Sequence, residues 1–282
     1  MNAHLVRMRR LKTMISKIFA FVFLTLMLFF LGWILATLIT KGIEGFSLQL
    51  FTQMTPPPGS QGGLLNAIVG SLLMVTAATF CSGILAFFIA VYFSEYGSRS
   101  PLTPLSRFMT NILLTAPSVI VGLFVYDIYV VPAGHFSSWA GALSLMIIAL
   151  PVIINTTDNV FSLVPHELRE AAVALGAPRW KIIWKILLPL TKTGFISGVI
   201  LSVARISGET APLLFTALNN QFWSLNMNKP MASLPVVIFQ YGMSPYKDWQ
   251  HLGWAGALLL TVFVFTLNIL VRIFFRRKIV IR

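Results

Sequence analysis

The amino-acid sequence predicts an all-α integral membrane protein whose chain crosses the bilayer six times. Hydrophobic residues make up 57% of the chain and charged residues only 10%, whereas soluble domains usually carry about 25% charged residues. Six apolar runs reach the length of about 20 residues that a helix needs to cross a bilayer. The lysines and arginines are concentrated in alternate loops between these runs, as expected for a membrane protein with a fixed orientation.

The six apolar runs define the predicted spans. They are Ile18–Ile39, Leu64–Phe93, Met109–Val131, Ser138–Val160, Thr193–Leu218 and Leu252–Phe275. Residues 18–275 are therefore expected to form one transmembrane domain, with tails at residues 1–17 and 276–282. The first run is too long for the core of a signal peptide and no clear cleavage site follows it, so we expect it to remain as an anchor.

The basic residues orient the predicted bundle. Nearly all of them lie before the first run, between the second and third, between the fourth and fifth, or beside and after the sixth. The exceptions are Lys41, Lys229 and Lys247 on the other side and Arg205 inside the fifth run. Because cytoplasmic loops carry the excess of lysine and arginine, both termini are expected in the cytoplasm. The net charge of +13 then reflects topology rather than nucleic-acid binding.

Two of the predicted outer loops differ in character. The loop at residues 41–63 contains Pro56, Pro57 and Pro58 and is expected to be irregular. The loop at residues 219–250 contains the apolar stretch Leu234–Tyr241, which is too short to cross a bilayer. We expect this stretch to form a short helix that lies at the interface or packs on the bundle.

The predicted cytoplasmic loop at residues 165–189 has the pattern of two helices separated by a turn. Pro165 can open the first helix, because the first turn needs no proline N–H. Gly176 suits a left-handed helix end, and Pro178 prevents the helix from continuing. The predicted apolar face is Leu168, Ala171, Ala172 and Leu175 in the first helix, and Trp180, Ile183, Trp184 and Leu187 in the second. Pro189 is expected to end or kink the second helix, and amphipathicity alone fits lipid headgroups as well as a protein partner.

The same loop contains a longer motif with fixed spacing. The motif consists of Glu170, Ala171 and Ala172, then Gly176, then Ile186, Leu188 and Pro189. This stretch resembles the EAA loop of ABC-transporter permeases in every position of its pattern. The resemblance implies a type I ABC importer permease (MetI-like) fold, in which the loop forms a coupling helix that docks on a separate ATPase subunit.

The fifth run contains two ionisable residues in an apolar setting. Its segment Ala204–Phe215 reads ARISGETAPLLF. If the run is one helix, Arg205 and Glu209 lie one turn apart, and Pro212 bends the helix beyond them. Charged groups within the hydrocarbon are costly and tend to be functional. Small residues also recur at four-residue spacing, at Gly194, Gly198 and Ser202, which favours close packing of helices in lipid.

Two interpretations of this charged pair remain open from the residues alone. Arg205 and Glu209 could form an ion pair that only holds helices together. Alternatively, Arg205 with Ser202 nearby could form an anion station on a transport pathway, since the guanidinium offers paired donors and keeps its charge. In that case Glu209 could share the arginine between passages or accept the proton of a hydrogen phosphate.

A second resemblance narrows the substrate. The segment ARISGETAPLLF is similar to the corresponding stretch of permeases in phosphate ABC importers, including Gly208, Thr210 and Pro212. The resemblance implies a phosphate permease of the bacterial inner membrane. Its expected partners are a related permease in a heterodimer, two ATPase subunits, an extracytoplasmic phosphate-binding protein and membrane lipid. A permease for another oxyanion, such as molybdate or sulfate, and an ion-coupled secondary carrier are the alternatives.

Several kinds of chemistry have no motif in this chain. The phosphate-binding pattern GxxxxGK[ST] does not occur, so ATP hydrolysis is expected in a partner and the chain is not expected to be an enzyme. Neither GxSxG nor HExxH occurs, and no metal or cofactor is predicted. Asn155, Asp158 and Asn159 are expected to serve in helix capping or helix–helix bonds, and Glu95 is expected to be solvated.

Overall fold

The computed structural model describes residues 3–97 and 100–276, with side chains for residues 8–97 and 100–273. The described residues form helices and loops, which confirms the predicted all-α class. In chain order the helices are α1 (Ala3–Glu44), α2 (Gln49–Thr52), α3 (Leu65–Glu95), α4 (Leu102–Thr115), α5 (Ser118–Val125), α6 (Val131–Ala133), α7 (Ser138–Ser162), α8 (His166–Ala174), α9 (Arg179–Ile182), α10 (Leu188–Ile206), α11 (Ala211–Thr216), α12 (Leu234–Gly242) and α13 (Lys247–Arg276). Two π-helical segments, Tyr126–Val130 and Ile183–Leu187, join α5 to α6 and α9 to α10.

Five helical segments of the described chain are long and apolar enough to cross a membrane. They lie in α1, α3, α7, the continuous stretch Arg179–Ile206, and α13. The remaining predicted span is a bent pair, Leu102–Thr115 and Ser118–Ala133, whose axes differ by 105°. The prediction of one continuous span at Met109–Val131 is therefore wrong. Pro117 explains the bend, because it disfavours helical geometry at Ala116, which adopts an extended conformation with ψ of 134°.

The fifth predicted span, Thr193–Leu218, is also interrupted. Its helix begins earlier, at Arg179, and ends at Ile206, and α11 resumes the helix only at Ala211. Gly208 lies within this break and Pro212 follows it, and both residue types weaken a continuous helix. The predicted interruption at Pro212 thus falls earlier, between Ile206 and Ala211, and the prediction of a continuous turn from Arg205 to Glu209 is wrong.

Helix α1 is a single helix of 42 residues, about 63 Å long at the usual rise per residue. That length is roughly twice the thickness of the hydrocarbon core. Every side chain from residue 8 to residue 36 is exposed, and α1 meets the rest of the molecule near its end, where Gly42 lies against Leu258 of α13. The predicted tail at residues 1–17 thus continues this helix from residue 3. Arg99 and residues 277–282 of the other predicted tail lie outside the described residues, and the cytoplasmic location of both termini stays a prediction.

Helix α7 lies at the centre of the described bundle. It packs along α3 on one side and along α10 on the other, and buried residues from all three helices share one core with α5 and α11. The small residues predicted to permit close packing do so, because Gly194 lies against Val160 of α7 and Gly198 against Thr156. This packing fixes the position of α10 relative to the core.

The predicted short helix in the outer loop is α12. Its residues Leu234, Val236, Val237 and Tyr241 are buried, and it packs mainly on α13. Of the two predicted positions for this helix, packing on the bundle is therefore confirmed and the interface is not. Asn66 holds the surrounding outer segments together: its Nδ2 donates to Thr55 Oγ1 at 2.9 Å and to the Asn220 carbonyl at 3.1 Å.

Candidate transport site and cytoplasmic coupling surface

The break in the fifth span places its two charges in different local structures. Arg205 lies in the last turn of α10, and the Ser207 N–H still donates to the Val203 carbonyl at 3.0 Å. The next amides form tighter turns, and the Glu209 N–H donates to the Ile206 carbonyl at 3.3 Å. Regular helix resumes only after Thr210. Glu209 therefore lies in a non-helical turn between two helices.

Arg205 and Glu209 do not form the predicted ion pair. The ion pairs within 4.0 Å among the described side chains are Arg107–Asp158 and Arg169–Glu95. The helix break explains the difference, since the one-turn spacing brings two side chains together only on a continuous helix. The interpretation of the two charges as a self-neutralising brace within one subunit is thus not supported by the geometry.

The exposure of these residues indicates where the site opens. Arg205 is exposed on the surface of the subunit and Glu209 is partly exposed. Ser202 is fully buried and donates its hydroxyl to the Val199 carbonyl at 2.8 Å, so it does not share the surface of Arg205. Because a charge facing hydrocarbon is costly, the Arg205 surface requires water or a polar partner in the assembled protein.

The second broken span packs against the first at this break. Gly122 of α5 lies so close to α11 that an added Cβ would meet Pro212 Cα at 2.6 Å. Val121 and Leu213 are buried in the same apolar core. The two half-helices that follow the bends therefore form one packed unit beside Arg205 and Glu209.

The first half of the bent span is fixed to the central helix by polar contacts. Arg107 forms a two-pronged contact with Asp158, with Nη1–Oδ2 at 2.8 Å and Nη2–Oδ1 at 3.1 Å. Asn155 Nδ2 donates to Asn111 Oδ1 at 3.3 Å. These contacts confirm the predicted helix–helix role of Asp158 and Asn155, and they hold α4 on α7.

The loop predicted to be cytoplasmic, at residues 165–189, forms the expected helix, turn and helix. Helix α8 begins directly after Pro165 and ends before Gly176, whose φ is +77°. The Gly176 N–H donates to the Val173 carbonyl at 2.9 Å, and the Ala177 N–H to the Ala172 carbonyl at 3.0 Å. This pair of bonds is the Schellman arrangement, which favours glycine at the left-handed position. The predicted roles of Pro165 and Gly176 are confirmed.

Helix α8 presents most of its predicted apolar face to the outside. Leu168, Ala171 and Leu175 are exposed, as is Glu170, and Ala172 is buried against the bundle. Leu175 has 88% of its surface accessible. An apolar helix face with short side chains that is left uncovered in the subunit is typical of a docking surface.

The second helix of the loop packs differently from the prediction. Its buried residues are Ile182, Ile183 and Leu187, whereas Trp180 and Trp184 are exposed. The π-helical segment Ile183–Leu187 changes the helical register that the prediction assumed. Pro189 does not end the helix, because the stretch Arg179–Ile206 is continuous and the π-helical segment Ile183–Leu187 ends just before the proline. Ile186 and Leu188 are partly buried, and Pro189 is exposed, so this part of the motif joins the loop directly to α10.

The pair Arg169 and Glu95 is a functional candidate that was not predicted from the sequence. Glu95 is not solvated as expected, because Arg169 Nε lies 3.2 Å from Glu95 Oε1 and only 10% of the Glu95 side chain is exposed. The sequence contains one indication of this contact. Arg169 lies three residues before Ala172 on α8, so both side chains face the bundle.

The fold and the site define a class of membrane protein. The interrupted spans, the charged break in the fifth span and the exposed hairpin at residues 165–189 are consistent with a transporter permease subunit. The family model described as binding-protein-dependent transport system inner membrane component matches residues 93–280, and the chain belongs to this family.

Individual relatives have a more specific name than the family. The chain is 53% identical to the phosphate transport system permease protein PstA of Pasteurella multocida, over 96% of both chains. It is 55% identical to the PstA protein of Haemophilus influenzae over 89% of both chains, and 50% identical to that of Yersinia pestis over 96% of this chain and 92% of the relative.

Solved structures share the fold. Inward-facing conformations of the MetNI methionine ABC transporter include a chain that matches with a TM-score of 0.61 at 19% identity, covering 76% of this chain and 95% of the other. An amino acid ABC transporter crystallised with histidines matches with a TM-score of 0.54 at 14% identity, covering 75% and 92%. At these identities the likeness shows the fold alone, and it confirms the predicted MetI-like permease architecture.

Proposed function

We propose that this chain is the transmembrane permease subunit of an ATP-driven importer for inorganic phosphate. The observation that carries the proposal is the identity of 50–55% to PstA proteins over nearly the whole chain. The segment ARISGETAPLLF spans a helix break at which Arg205 is exposed, while Ile206 and Leu213 are buried in the core. An exposed arginine at such a break suits a site that binds an oxyanion transiently.

Arg205 is proposed to contact the passing phosphate. Its planar guanidinium can donate two parallel hydrogen bonds to phosphate oxygens. Glu209 follows in the adjoining turn, where it can compete with phosphate for the arginine or accept a proton from hydrogen phosphate. A nearby carboxylate would also keep the arginine from holding the anion too tightly for release.

The cytoplasmic loop is proposed to couple the spans to ATP hydrolysis. The exposed surface of α8 around Glu170, Ala171 and Gly176 would dock on an ATPase subunit, while Ala172 anchors α8 to the bundle. Ile186, Leu188 and Pro189 would transmit the movement into α10, with which they are continuous.

The assembly expected around this chain follows from the same proposal. It contains a PstC-like permease as the heterodimer partner, two PstB-like ATPase subunits and a PstS-like phosphate-binding protein. The complex would lie in the bacterial inner membrane with both termini of this chain in the cytoplasm. The long exposed face of α1 and the exposed Arg205 surface fit a subunit that is covered by lipid and by a second permease.

Uptake and competition in cells test this proposal. Cells without their own phosphate importers would express this chain with the four partner polypeptides, and labelled phosphate uptake would be measured against an excess of sulfate or molybdate. We expect uptake that neither anion reduces and that unlabelled phosphate abolishes. If molybdate or sulfate reduced uptake as strongly as unlabelled phosphate does, the substrate assignment would change from phosphate to another oxyanion.

A further inference from the structure

A buried arginine connects the exposed cytoplasmic helix to two transmembrane helices. Arg169 of α8 has 13% of its side chain exposed, and its Nε lies 3.2 Å from Glu95 Oε1, at the C-terminal end of α3. Its Nη2 donates to Ser94 Oγ at 3.1 Å and to the Phe161 carbonyl of α7 at 2.9 Å. One guanidinium of α8 thus contacts two other helices, α3 and α7, and we name this group of contacts the Arg169 brace.

The chemistry of the Arg169 brace explains why arginine suits this position. A carboxylate and a backbone carbonyl at the C-terminal ends of helices both add to the negative end of the helix dipole. Glu95 ends α3, and Phe161 lies in the last turn of α7. A guanidinium offers several donors in a fixed plane, so it can neutralise the carboxylate and satisfy the carbonyl together. Lysine carries the same charge without this fixed geometry.

Apolar packing around the Arg169 brace makes the contact rigid. Ala172, one turn along α8, is buried in a cluster with Phe87, Phe161 and Leu187. The Phe87 and Phe161 rings meet edge to face with centroids 6.3 Å apart. Helix α8 is therefore held by both a buried ion pair and an apolar contact, while its other face remains exposed.

A continuous set of contacts leads from the Arg169 brace to the transport site. Phe161 belongs to α7, and the preceding residue, Val160, lies against Gly194 of α10. One turn further, Thr156 lies against Gly198. Helix α10 then continues to Arg205. A displacement of α8 that moves α7 must therefore move or strain α10.

We propose that Arg169 is the positioning residue that transmits movement of α8 to α7 and α3, and through α7 to α10. This inference rests on the proposed function, because α8 moves only if an ATPase subunit docks on it. Arg169 touches neither ATP nor phosphate in this scheme. Its loss should therefore uncouple hydrolysis from transport while the apparent affinity for phosphate stays the same.

The test uses the complete complex in proteoliposomes and compares Arg169→Gln and Arg169→Lys with the wild type. We expect Arg169→Gln to lower the phosphate moved per ATP hydrolysed by about fivefold or more, with ATP hydrolysis retained. Arg169→Lys should lose less, and the half-saturating phosphate concentration should not change in either variant. Lys181→Gln is the matched control, because it removes an exposed cation of the same loop and should leave the ratio unchanged. An unchanged ratio in Arg169→Gln would overturn the proposal.

Two further variants separate coupling from folding. If Arg169→Gln fails to assemble because Glu95 is left buried without its partner, the neutral double variant Glu95→Gln/Arg169→Gln removes that charge as well. The reversed pair Glu95→Arg/Arg169→Glu should recover part of the ratio, since it restores an ion pair between α8 and α3. An assembled neutral double variant that transports as many phosphates per ATP as the wild type would also overturn the proposal.

A readout that needs no substrate distinguishes failure of this inference from failure of the proposed function. In a Cys81→Ser background, Leu201→Cys places a thiol on an exposed position of α10. We expect ATP to change its labelling rate in the otherwise wild-type complex and in Lys181→Gln, and to leave it constant in Arg169→Gln. If ATP still changes the rate in Arg169→Gln, the inference fails. If the rates follow our expectation but no phosphate is moved, the phosphate assignment fails and the Arg169 brace stands.

Discussion

At the scale of single residues, the central question concerns the exposed Arg205. No carboxylate of the described chain lies within ion-pair distance of its guanidinium. A permanently charged side chain on the surface of a membrane-spanning helix must face water, a substrate or a polar partner. Phosphate binding satisfies this requirement. It also predicts that uptake depends on the planar shape of the guanidinium as well as on its positive charge.

Replacement of Arg205 should separate charge from geometry. Arg205→Ala is expected to lower phosphate uptake by about 100-fold, because several charge-assisted hydrogen bonds are lost, whereas Arg205→Lys should retain part of it. Lys192→Ala is the control, since it removes another exposed cation of α10. Uptake by membrane vesicles, normalised to assembled complex, measures the effect. Equal losses in Arg205→Ala and Lys192→Ala would contradict a specific role for Arg205.

Glu209 should affect the rate of transport more than the binding of phosphate. Glu209→Gln removes the negative charge beside the site while keeping its size, so phosphate should leave Arg205 more slowly. We expect the maximal uptake rate to fall by about threefold, with a smaller change in the half-saturating concentration. Initial rates over a range of phosphate concentrations separate the two. An unchanged maximal rate would mean that neither arginine sharing nor proton acceptance is needed.

At the scale of helices, the two interrupted spans form the structure that supports the site. A Thr-Ala-Pro sequence occurs at each break, at Thr115–Pro117 and Thr210–Pro212. Helix α5 begins after the first and α11 begins within the second, and these two segments pack on each other. The contact depends on Gly122, which leaves no space for a side chain next to Pro212. The position of the Ser207–Thr210 turn is thus set by packing as well as by its own sequence.

Gly122→Ala should disturb this contact. The added methyl would press on the Pro212 backbone, and overpacking of this kind costs about 1–3 kcal/mol. Thermal unfolding of the purified complex and phosphate uptake should both show a loss. Gly83→Ala is the matched control, because an added Cβ there meets nothing within 4 Å and alanine is the better helix former. A Gly122→Ala variant as stable and active as Gly83→Ala would contradict this role of the contact.

The end of α8 offers a test of the docking surface. Gly176→Trp should abolish ATP-dependent uptake, because a large side chain would project from the helix end that is proposed to face the ATPase. Gly134→Trp is the control, because Gly134 also has a positive φ and open space around it. It lies between the third and fourth predicted spans, on the predicted outer side of the membrane. Both substitutions impose similar backbone strain of about 1–2 kcal/mol. If both variants lose ATP-dependent uptake equally, backbone strain explains the loss and the docking role does not.

The sequence predicted the elements that depend on local patterns. The α8 helix, its Gly176 end and the packing of Gly194 and Gly198 all follow from spacing along the chain. The positions of the two helix breaks were not predicted from spacing. Alanine, glycine and proline keep a segment apolar even where they interrupt its hydrogen bonds, so each broken span still reads as one apolar run. Arg169 and Glu95 were missed for another reason: they lie far apart in the chain, and only the packing of α8 on α3 and α7 brings them together.

At the scale of the whole molecule, the subunit leaves large surfaces to be covered. Helix α1 is exposed along most of its length, an apolar groove of about 750 Å³ runs between α3, α10 and α13, and α8 presents an apolar face on the cytoplasmic side. Such surfaces are expected of a membrane subunit that functions only in a complex. In the proposed function, the membrane spans, the phosphate site and the coupling loop work together, and the energy for transport comes from another polypeptide.

The most direct measurement is therefore phosphate accumulation by the purified complex in proteoliposomes, with intact partner ATPases or with ATPases inactivated at their own nucleotide site. We predict accumulation against a gradient that requires hydrolysable ATP and disappears with the inactive ATPases. Phosphate uptake that continues unchanged without ATP hydrolysis would contradict the account and would identify the chain as a secondary anion carrier instead.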